Sequence, residues 1–287
     1  MAFVIWDRRR SSRASRKALV LACLLGLFLA APNAARADEY QLFLTATNFD
    51  GTPVVDLRTD EVLVQNAGTP CSVIRVQPGT QPIKIALLVD NSDDSSQSLN
   101  ALRDGLRSFI ESVPEPHEIG LFSIAGQVRR LVDFTTDREA LTDRASGIFA
   151  ETGTGAMFMD GFLETWDRRF SDEDSWPMFV MVAYDGAEGS GNVQEREINE
   201  FANELRMRAA TVHVVLVMNR GGAMQTSVGL FLTEQTGGSY DGINAATALS
   251  NILGELATEI GTHFEQVKSR YRVVFDCGDA PDQLQAG

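Results

Sequence analysis

Oxygen-bearing side chains crowd the end of an apolar run in the first half of the chain. The run IKIALLV (83–89) is followed by Asp90, Ser92 and Asp94 at alternate positions, and a second run, MFVMVAY (178–184), ends in Asp185. Hard oxygen donors that converge on one point suit Mg²⁺, Mn²⁺ or Ca²⁺, whereas soft metals prefer sulfur. The same residue types also cap helices and form turns, so both interpretations stay open at this stage.

Strands and helices alternate along most of the chain, and this alternation predicts how the aspartates come together. Continuous apolar runs such as 83–89 are typical of central parallel strands that are buried on both faces. Helical spacing recurs between them, for example in SLNALRDGLRSFIESV and QEREINEFANELRMRAA. The pattern predicts a three-layer α/β fold with a mainly parallel, doubly wound sheet. Because the carboxyl ends of parallel strands meet at one edge, we expect Asp90 and Asp185 there.

A different pattern precedes this region. Short alternating runs such as YQLFLTATN and EVLVQNAG, separated by Gly and Pro, predict a small antiparallel unit that packs against the α/β region. The last strand, SRYRVVFDC, is expected to join it. The predicted organisation is a signal peptide (1–37), a β-strand entry unit (38–80), an α/β domain (81–266), and a closing strand with a flexible tail (267–287).

The N-terminus has the order of a secretory signal peptide. Basic residues come first, then an apolar run of about 14 residues, then Ala35-Arg36-Ala37 before Asp38. The run falls short of the roughly 20 residues that span a bilayer, which disfavours an uncleaved anchor. No later segment is long and apolar enough to span a membrane. We therefore expect an exported protein, periplasmic or secreted, with no membrane span in the mature chain.

The mature chain is strongly acidic. Removal of residues 1–37 takes away seven Lys/Arg and one Asp, which leaves 18 basic against 38 acidic side chains. A surface with this charge repels phosphate backbones and anionic lipids, so nucleic acid is not expected as a partner. The acidity also serves to keep an exported protein soluble.

Two cysteines, Cys71 and Cys277, remain after cleavage. They have no CxxC or His neighbour of the kind that zinc sites use. In an oxidising compartment they could form one disulfide between the segments before and after the α/β domain. Two separate buried thiols are the alternative, and the sequence does not choose between them.

Several segments, in the same order, resemble the von Willebrand factor type A (VWFA) domain family, specifically its bacterial VWFA-related subgroup of acidobacterial type. The resemblance runs from about Leu42 to Phe275. The matching segments are ATNFDGTPVVDLRTDEVLVQNAG, FTTDREAL, EQTGGSY and SRYRVVF. The resemblance implies a Rossmann-like α/β fold and a binding function.

Proteins of this family often carry a metal-ion-dependent adhesion site (MIDAS) with the pattern D-x-S-x-S, a threonine from a second loop and an aspartate from a third. Asp90 and Ser92 fit the first loop, but Asp94 replaces its second serine, and Asp185 fits the third loop. Ala156 stands where the threonine belongs, and Thr154 could substitute if the loop shifts. The resemblance thus implies a divalent cation held by Asp90, Ser92, Asp94 and Asp185.

The departures from this pattern affect which partner the site could take. An extra anion on the metal, Asp94, opposes an acidic ligand by about 4 kcal/mol for charges ~4 Å apart at an effective dielectric constant of 20. The sequence then predicts an exported, non-catalytic module for protein–protein or surface association, including cell adhesion, through a partly degenerate site. The alternative is a metal-free structural or assembly component of the cell envelope. An enzyme is not expected, because the three histidines, His117, His213 and His263, show no ligand or catalytic spacing.

Overall fold

The computed structural model describes residues 40–50, 52–170, 176–191, 193–218, 223–278 and 284–286. The predicted signal peptide lies outside these residues. Within them, no helix combines the length and the apolar character needed to cross a membrane.

Twelve strands and six α-helices are seen in the described residues. The strands are β1 (Tyr40–Leu44), β2 (Val64–Asn66), β3 (Thr69–Pro70), β4 (Ser72–Pro78), β5 (Ile83–Val89), β6 (Glu118–Ser123), β7 (Arg129–Thr135), β8 (Trp176–Tyr184), β9 (Thr211–Val217), β10 (Tyr240–Ile243), β11 (Tyr271–Asp276) and β12 (Leu284–Ala286). The helices are α1 (Leu99–Ser112), α2 (Arg138–Ser146), α3 (Phe158–Arg169), α4 (Glu195–Met207), α5 (Ala223–Thr236) and α6 (Leu249–Val267).

The main sheet has six strands in the order β10-β9-β8-β5-β6-β7. All neighbours pair in parallel except β6 and β7, which are antiparallel. The chain winds outward from β5 in both directions, so the strand order reverses between β5 and β8. This confirms the predicted three-layer, mainly parallel, doubly wound α/β class.

Helices cover both faces of this sheet because its central strands are apolar on both sides. Along β5, Ile85, Leu87 and Val89 face a core that includes side chains of α1, α2 and α6. Ala86 and Leu88 face a second core with side chains of α3, α4 and α5. The alternation follows from the two-residue period of a strand, and it explains why β5 has no polar face.

The entry unit and the closing strand form a separate small sheet. Its order is β1-β11-β4, and β11 is antiparallel to both neighbours. The closing strand therefore lies in the middle of the unit that begins the described chain, as the sequence pattern predicts. Phe43 of β1 packs edge-on against Trp176 at the start of β8, with ring centroids 5.5 Å apart. This contact places the small sheet at the amino-terminal edge of the main-sheet strands.

The tail, for which the sequence predicts flexibility, contributes one short strand. Leu284–Ala286 pairs antiparallel with β2, which in turn pairs with β3. The sequence of the tail does not indicate this strand, because strands are recognised by alternating apolar residues. A three-residue strand can form through backbone hydrogen bonds alone, without such a pattern.

Candidate functional site at the carboxyl edge of the main sheet

Asp90 and Asp185 follow the neighbouring strands β5 and β8 at the carboxyl edge of the main sheet. Both side chains are buried. Asp90 Oδ1 accepts a hydrogen bond from the Ser92 backbone N–H at 2.8 Å, and Oδ2 accepts one from the Tyr184 N–H at 3.1 Å. The Asp185 N–H donates to the Val217 carbonyl at 3.1 Å. These backbone contacts fix both aspartates to the ends of their strands.

Burial sets the electrostatics around Asp90. Loss of hydration raises the pKa of its carboxyl group, hydrogen bonds from Ser92 and Tyr184 oppose that increase, and the nearby charge of Asp94 adds to it. The Tyr184 hydroxyl accepts from Ser98 Oγ at 2.8 Å, and burial raises the pKa of Tyr184 to about 12. The carboxylate of Asp90 therefore lies in surroundings that favour a compensating cation or a proton.

Ser92 lies directly beside Asp90. The side chain of Ser92 is fully buried, and its hydroxyl group lowers the pKa of the neighbouring Asp90 carboxyl group. Asp90 and Ser92 are thus neighbours at the carboxyl end of β5, and their role as metal ligands stays a prediction.

The other predicted ligands are used differently. Asp94 Oδ2 accepts a hydrogen bond from the Ala187 N–H at 3.0 Å, and Thr154 Oγ1 donates to the Glu151 carbonyl at 2.7 Å. Ala156, at the position of the family's threonine, has no side-chain oxygen to offer and is buried. In the part of the chain that the structure describes, no group of three or more His, Cys, Asp or Glu residues could hold a metal ion. The residues present do not fit the complete site that the resemblance implies.

Three loops build this edge. Loop 1 is residues 90–98, loop 2 is residues 147–157, and loop 3 is residues 185–191. Loops 1 and 2 are joined by a hydrogen bond from the Glu151 N–H to the Asn91 carbonyl at 2.8 Å and one from Asn91 Nδ2 to the Phe149 carbonyl at 2.9 Å. Phe149 itself is 64% exposed, so an aromatic ring stands in solvent beside loop 1.

Loops 2 and 3 are joined through their backbones. The Ala156 N–H donates to the Ala187 carbonyl at 2.9 Å, and the Gly189 N–H donates to the Ala156 carbonyl at 2.6 Å. Gly155 permits this approach, because a Cβ atom there would lie 2.7 Å from the Ala187 carbonyl oxygen. The backbones of the two loops therefore run side by side at the edge.

Two loop 3 side chains that the sequence pattern does not single out as site residues hold the start of α3. Glu188 Oε1 accepts from the Phe158 N–H at 3.1 Å, and Ser190 Oγ accepts from the N–H groups of Met159 and Asp160, each at 3.1 Å. Burial raises the pKa of Glu188, and Gln225 Nε2 donates to its Oε2 at 3.1 Å. Helix capping signals are normally local in sequence, whereas these cross about 30 residues, which is why the pattern does not indicate them.

The two buried histidines lie apart from this edge. His117 Nδ1 accepts from the Ile83 N–H at 3.2 Å, at the start of β5 and so at the opposite end of that strand from Asp90. His213 Nδ1 accepts from the Ser239 N–H at 3.1 Å. His263 is exposed near the end of α6. Each histidine has a structural environment of its own, and none is placed to act with Asp90 or Asp185.

A disulfide joins Cys71 and Cys277. It links the residue before β4 to the residue after β11, beside an apolar cluster that includes Val62, Val64 and Phe275. The two alternatives left open by the sequence thus resolve in this structure to the bonded pair.

Comparison with known proteins identifies the fold. No protein-family model matches the sequence, and neither does any curated protein. Among solved structures, a von Willebrand factor type A protein from Catenulispora acidiphila superposes with a TM-score of 0.52 at 10% identity over 78% of this chain. This chain spans 50% of that protein's length. The vWF domain of the type V pili tip protein Mfa5 from Porphyromonas gingivalis gives 0.50 at 13% identity, over 64% of this chain and 97% of that one. The chain described here has the von Willebrand factor type A fold.

Proposed function

We propose that this protein is an exported, non-catalytic module that binds another protein through the carboxyl edge of its main sheet. The observation that carries the proposal is the edge itself, where three loops joined by hydrogen bonds present an exposed aromatic ring, Phe149. Aromatic side chains are enriched among the residues that contribute most of the binding energy of protein interfaces. The placement of the histidines away from the buried aspartates supports a binding role over a catalytic one.

Export is supported by two independent features. The first 37 residues have the order of a secretory signal peptide. The Cys71–Cys277 disulfide suits an oxidising compartment such as the periplasm or the cell exterior. The comparison domain from a pili tip protein is consistent with a VWFA fold that works outside the cell.

A binding experiment with matched surface variants tests the proposal. The chain 38–287 is immobilised, exposed to an envelope extract of its source organism, and compared with the variants Phe149→Ser and Ile74→Ser. Phe149 lies at the carboxyl edge, while Ile74 is 44% exposed on β4 of the small sheet. We expect Phe149→Ser to weaken retention of a specific partner about tenfold, as loss of an interface anchor does, and Ile74→Ser to leave it unchanged.

The outcomes of this experiment, together with EDTA treatment, separate binding at the carboxyl edge from assembly through the small sheet and from metal-dependent adhesion. Equal retention by both variants and the wild type would contradict binding at this edge, and loss with Ile74→Ser alone would favour an assembly role through the small sheet. Addition of EDTA tests the metal-dependent adhesion that the family resemblance implies. Partner release by EDTA, reversed by Mg²⁺ or Ca²⁺, would show that the adhesion is cation-dependent.

A further inference from the structure

The three edge loops are connected in every pairwise combination by direct hydrogen bonds. Loop 1 is joined to loop 2 through Asn91 and Glu151, and loop 2 is joined to loop 3 through Ala156, Ala187 and Gly189. In the MIDAS pattern, one metal ion would take ligands from both loop 1 and loop 3 and so would link the remaining pair. Here a protein side chain makes that link.

Asp94 provides this link by two separate contacts. Its Oδ2 accepts from the Ala187 N–H at 3.0 Å. Its carboxylate also lies close against Gly186, because a Cβ atom built on Gly186 would be 1.7 Å from Oδ2 and 2.2 Å from Cγ of Asp94. Gly186 does not have the positive φ that favours glycine. The structure requires glycine there because the Asp94 carboxylate occupies the position of a side chain.

We propose that Asp94 takes over the structural role of a metal ion at this edge, and that the three loops hold their arrangement without a divalent cation. The residue that departs from the family pattern is then a functional replacement and not a defect in the site. This role explains why the predicted metal ligands do not form a complete MIDAS, since the Asp94 carboxylate is already bonded to loop 3. The inference concerns the stability of the edge, so it holds or fails independently of partner binding.

Thermal unfolding of the chain 38–287 tests the proposal. Each protein is measured after treatment with EDTA and again in 5 mM MgCl₂ or CaCl₂. The wild-type Tm should agree within about 1 °C in all three conditions. An ion present at a hundred times its Kd would instead raise the Tm by about 5 °C or more. A cation-dependent increase of that size, abolished by Asp90→Asn, would overturn the proposal.

Matched variants test the link itself. Asp94→Ala should lower the Tm by about 5 °C, because it removes a charge-assisted hydrogen bond between two loops. Asp94→Asn, which keeps an acceptor oxygen, should lower the Tm by less than Asp94→Ala does. Asp93→Ala changes the exposed neighbouring residue in the same short turn and should stay within about 1 °C of the wild type. Equal Tm values for Asp94→Ala and Asp93→Ala would contradict the link.

A double-mutant cycle adds a geometric readout. Gly186→Ala should be as destabilising as Asp94→Ala, because the new methyl group displaces the carboxylate. In the Asp94→Ala background the same methyl group no longer meets that carboxylate, so the double variant should match Asp94→Ala within about 1 °C. Additive losses in the double variant would show that Gly186 and Asp94 act independently, and would overturn the proposal.

Discussion

The buried side chain of His117 ties the stability of the protein to pH. Its Nδ1 accepts from the Ile83 N–H, and its ring packs edge-on against Phe264 with centroids 4.4 Å apart. Burial lowers the pKa of His117 from 6.5 to about 4; the positive charge of Arg138 adds to the decrease and Glu265 opposes it. The folded protein therefore keeps this imidazole neutral at a pH where the unfolded chain would protonate it.

The sign of the pH effect follows from these two pKa values. Above pH 6.5 His117 is neutral in both the folded and the unfolded state, so it does not change the free energy of unfolding. Between pH 6.5 and about 4 the unfolded chain binds a proton that the folded protein does not, so the free energy of unfolding falls as the pH is lowered. The loss reaches at most about 3 kcal/mol. Burial also lowers the pKa of His213 to about 4, so both histidines contribute to the loss of stability. We expect His117→Asn to make this part of the curve less steep without abolishing the slope, measured by urea unfolding from pH 7 to pH 4. His263→Asn, which alters an exposed histidine, is the control, and equally flattened curves for both variants would contradict the assignment.

Sequence alone could place some edge residues and not others. Asp90 and Asp185 are expected on one edge because each ends an apolar strand, and the structure has them after the neighbouring strands β5 and β8. The contact of Asp94 could not be foreseen, since its partner is a backbone N–H some 90 residues away in loop 3. The contact of Thr154 is local by contrast, because its hydroxyl donates to the Glu151 carbonyl in its own loop.

Among the elements, α3 has an unusual start. The residue before it, Met157, makes no side-chain cap, and the first N–H groups of the helix are instead satisfied by Glu188 and Ser190 of loop 3. A helix that begins on another loop is positioned only when that loop is ordered. Packing of loop 3 and formation of the first turn of α3 are thus energetically coupled.

Removal of this distant cap should act on two elements at once. We expect Ser190→Ala to lower the free energy of unfolding by about 1 kcal/mol and to speed hydrogen exchange at the Met159 and Asp160 amides, which lose their acceptor. Asp137→Ala is the matched comparison, because Asp137 caps α2 locally by accepting from the Ala140 N–H. It should leave exchange at 159 and 160 unchanged. Unaltered exchange in Ser190→Ala would count against the coupling.

Long periodic elements were predictable, whereas the short strand β10 was not. The apolar strand β5 and the amphipathic helices α1 and α4 follow from spacing, because each buries a continuous stripe of side chains. The four-residue strand β10 has one buried residue and a glycine, so its pattern carries little signal. It forms because the backbone of β9 offers an edge for parallel pairing.

At the scale of the whole chain, the last long strand, β11, pairs with strands from the beginning of the described residues. β11 lies between β1 and β4, so a strand late in the chain completes the small sheet that contains β1 at residue 40. The domain boundaries and the acidobacterial subgroup stay predictions, because low-identity structural likeness bears on the fold alone. The architecture does establish that the two ends of the α/β domain are held together by strand pairing and by a disulfide.

Reduction of the Cys71–Cys277 disulfide should destabilise the entire chain. The bond closes a loop with a sequence separation of 206 residues, and in the chain-entropy model its loss costs up to about 5 kcal/mol. Urea unfolding of the chain 38–287 should therefore shift to a lower midpoint in dithiothreitol. The double variant Cys71→Ala/Cys277→Ala should already show the lower midpoint and should not respond to the reductant, since no other cysteine follows residue 37. An unchanged wild-type midpoint under complete reduction would mean that pairing of β11 with β1 and β4 holds the ends together without the covalent bond.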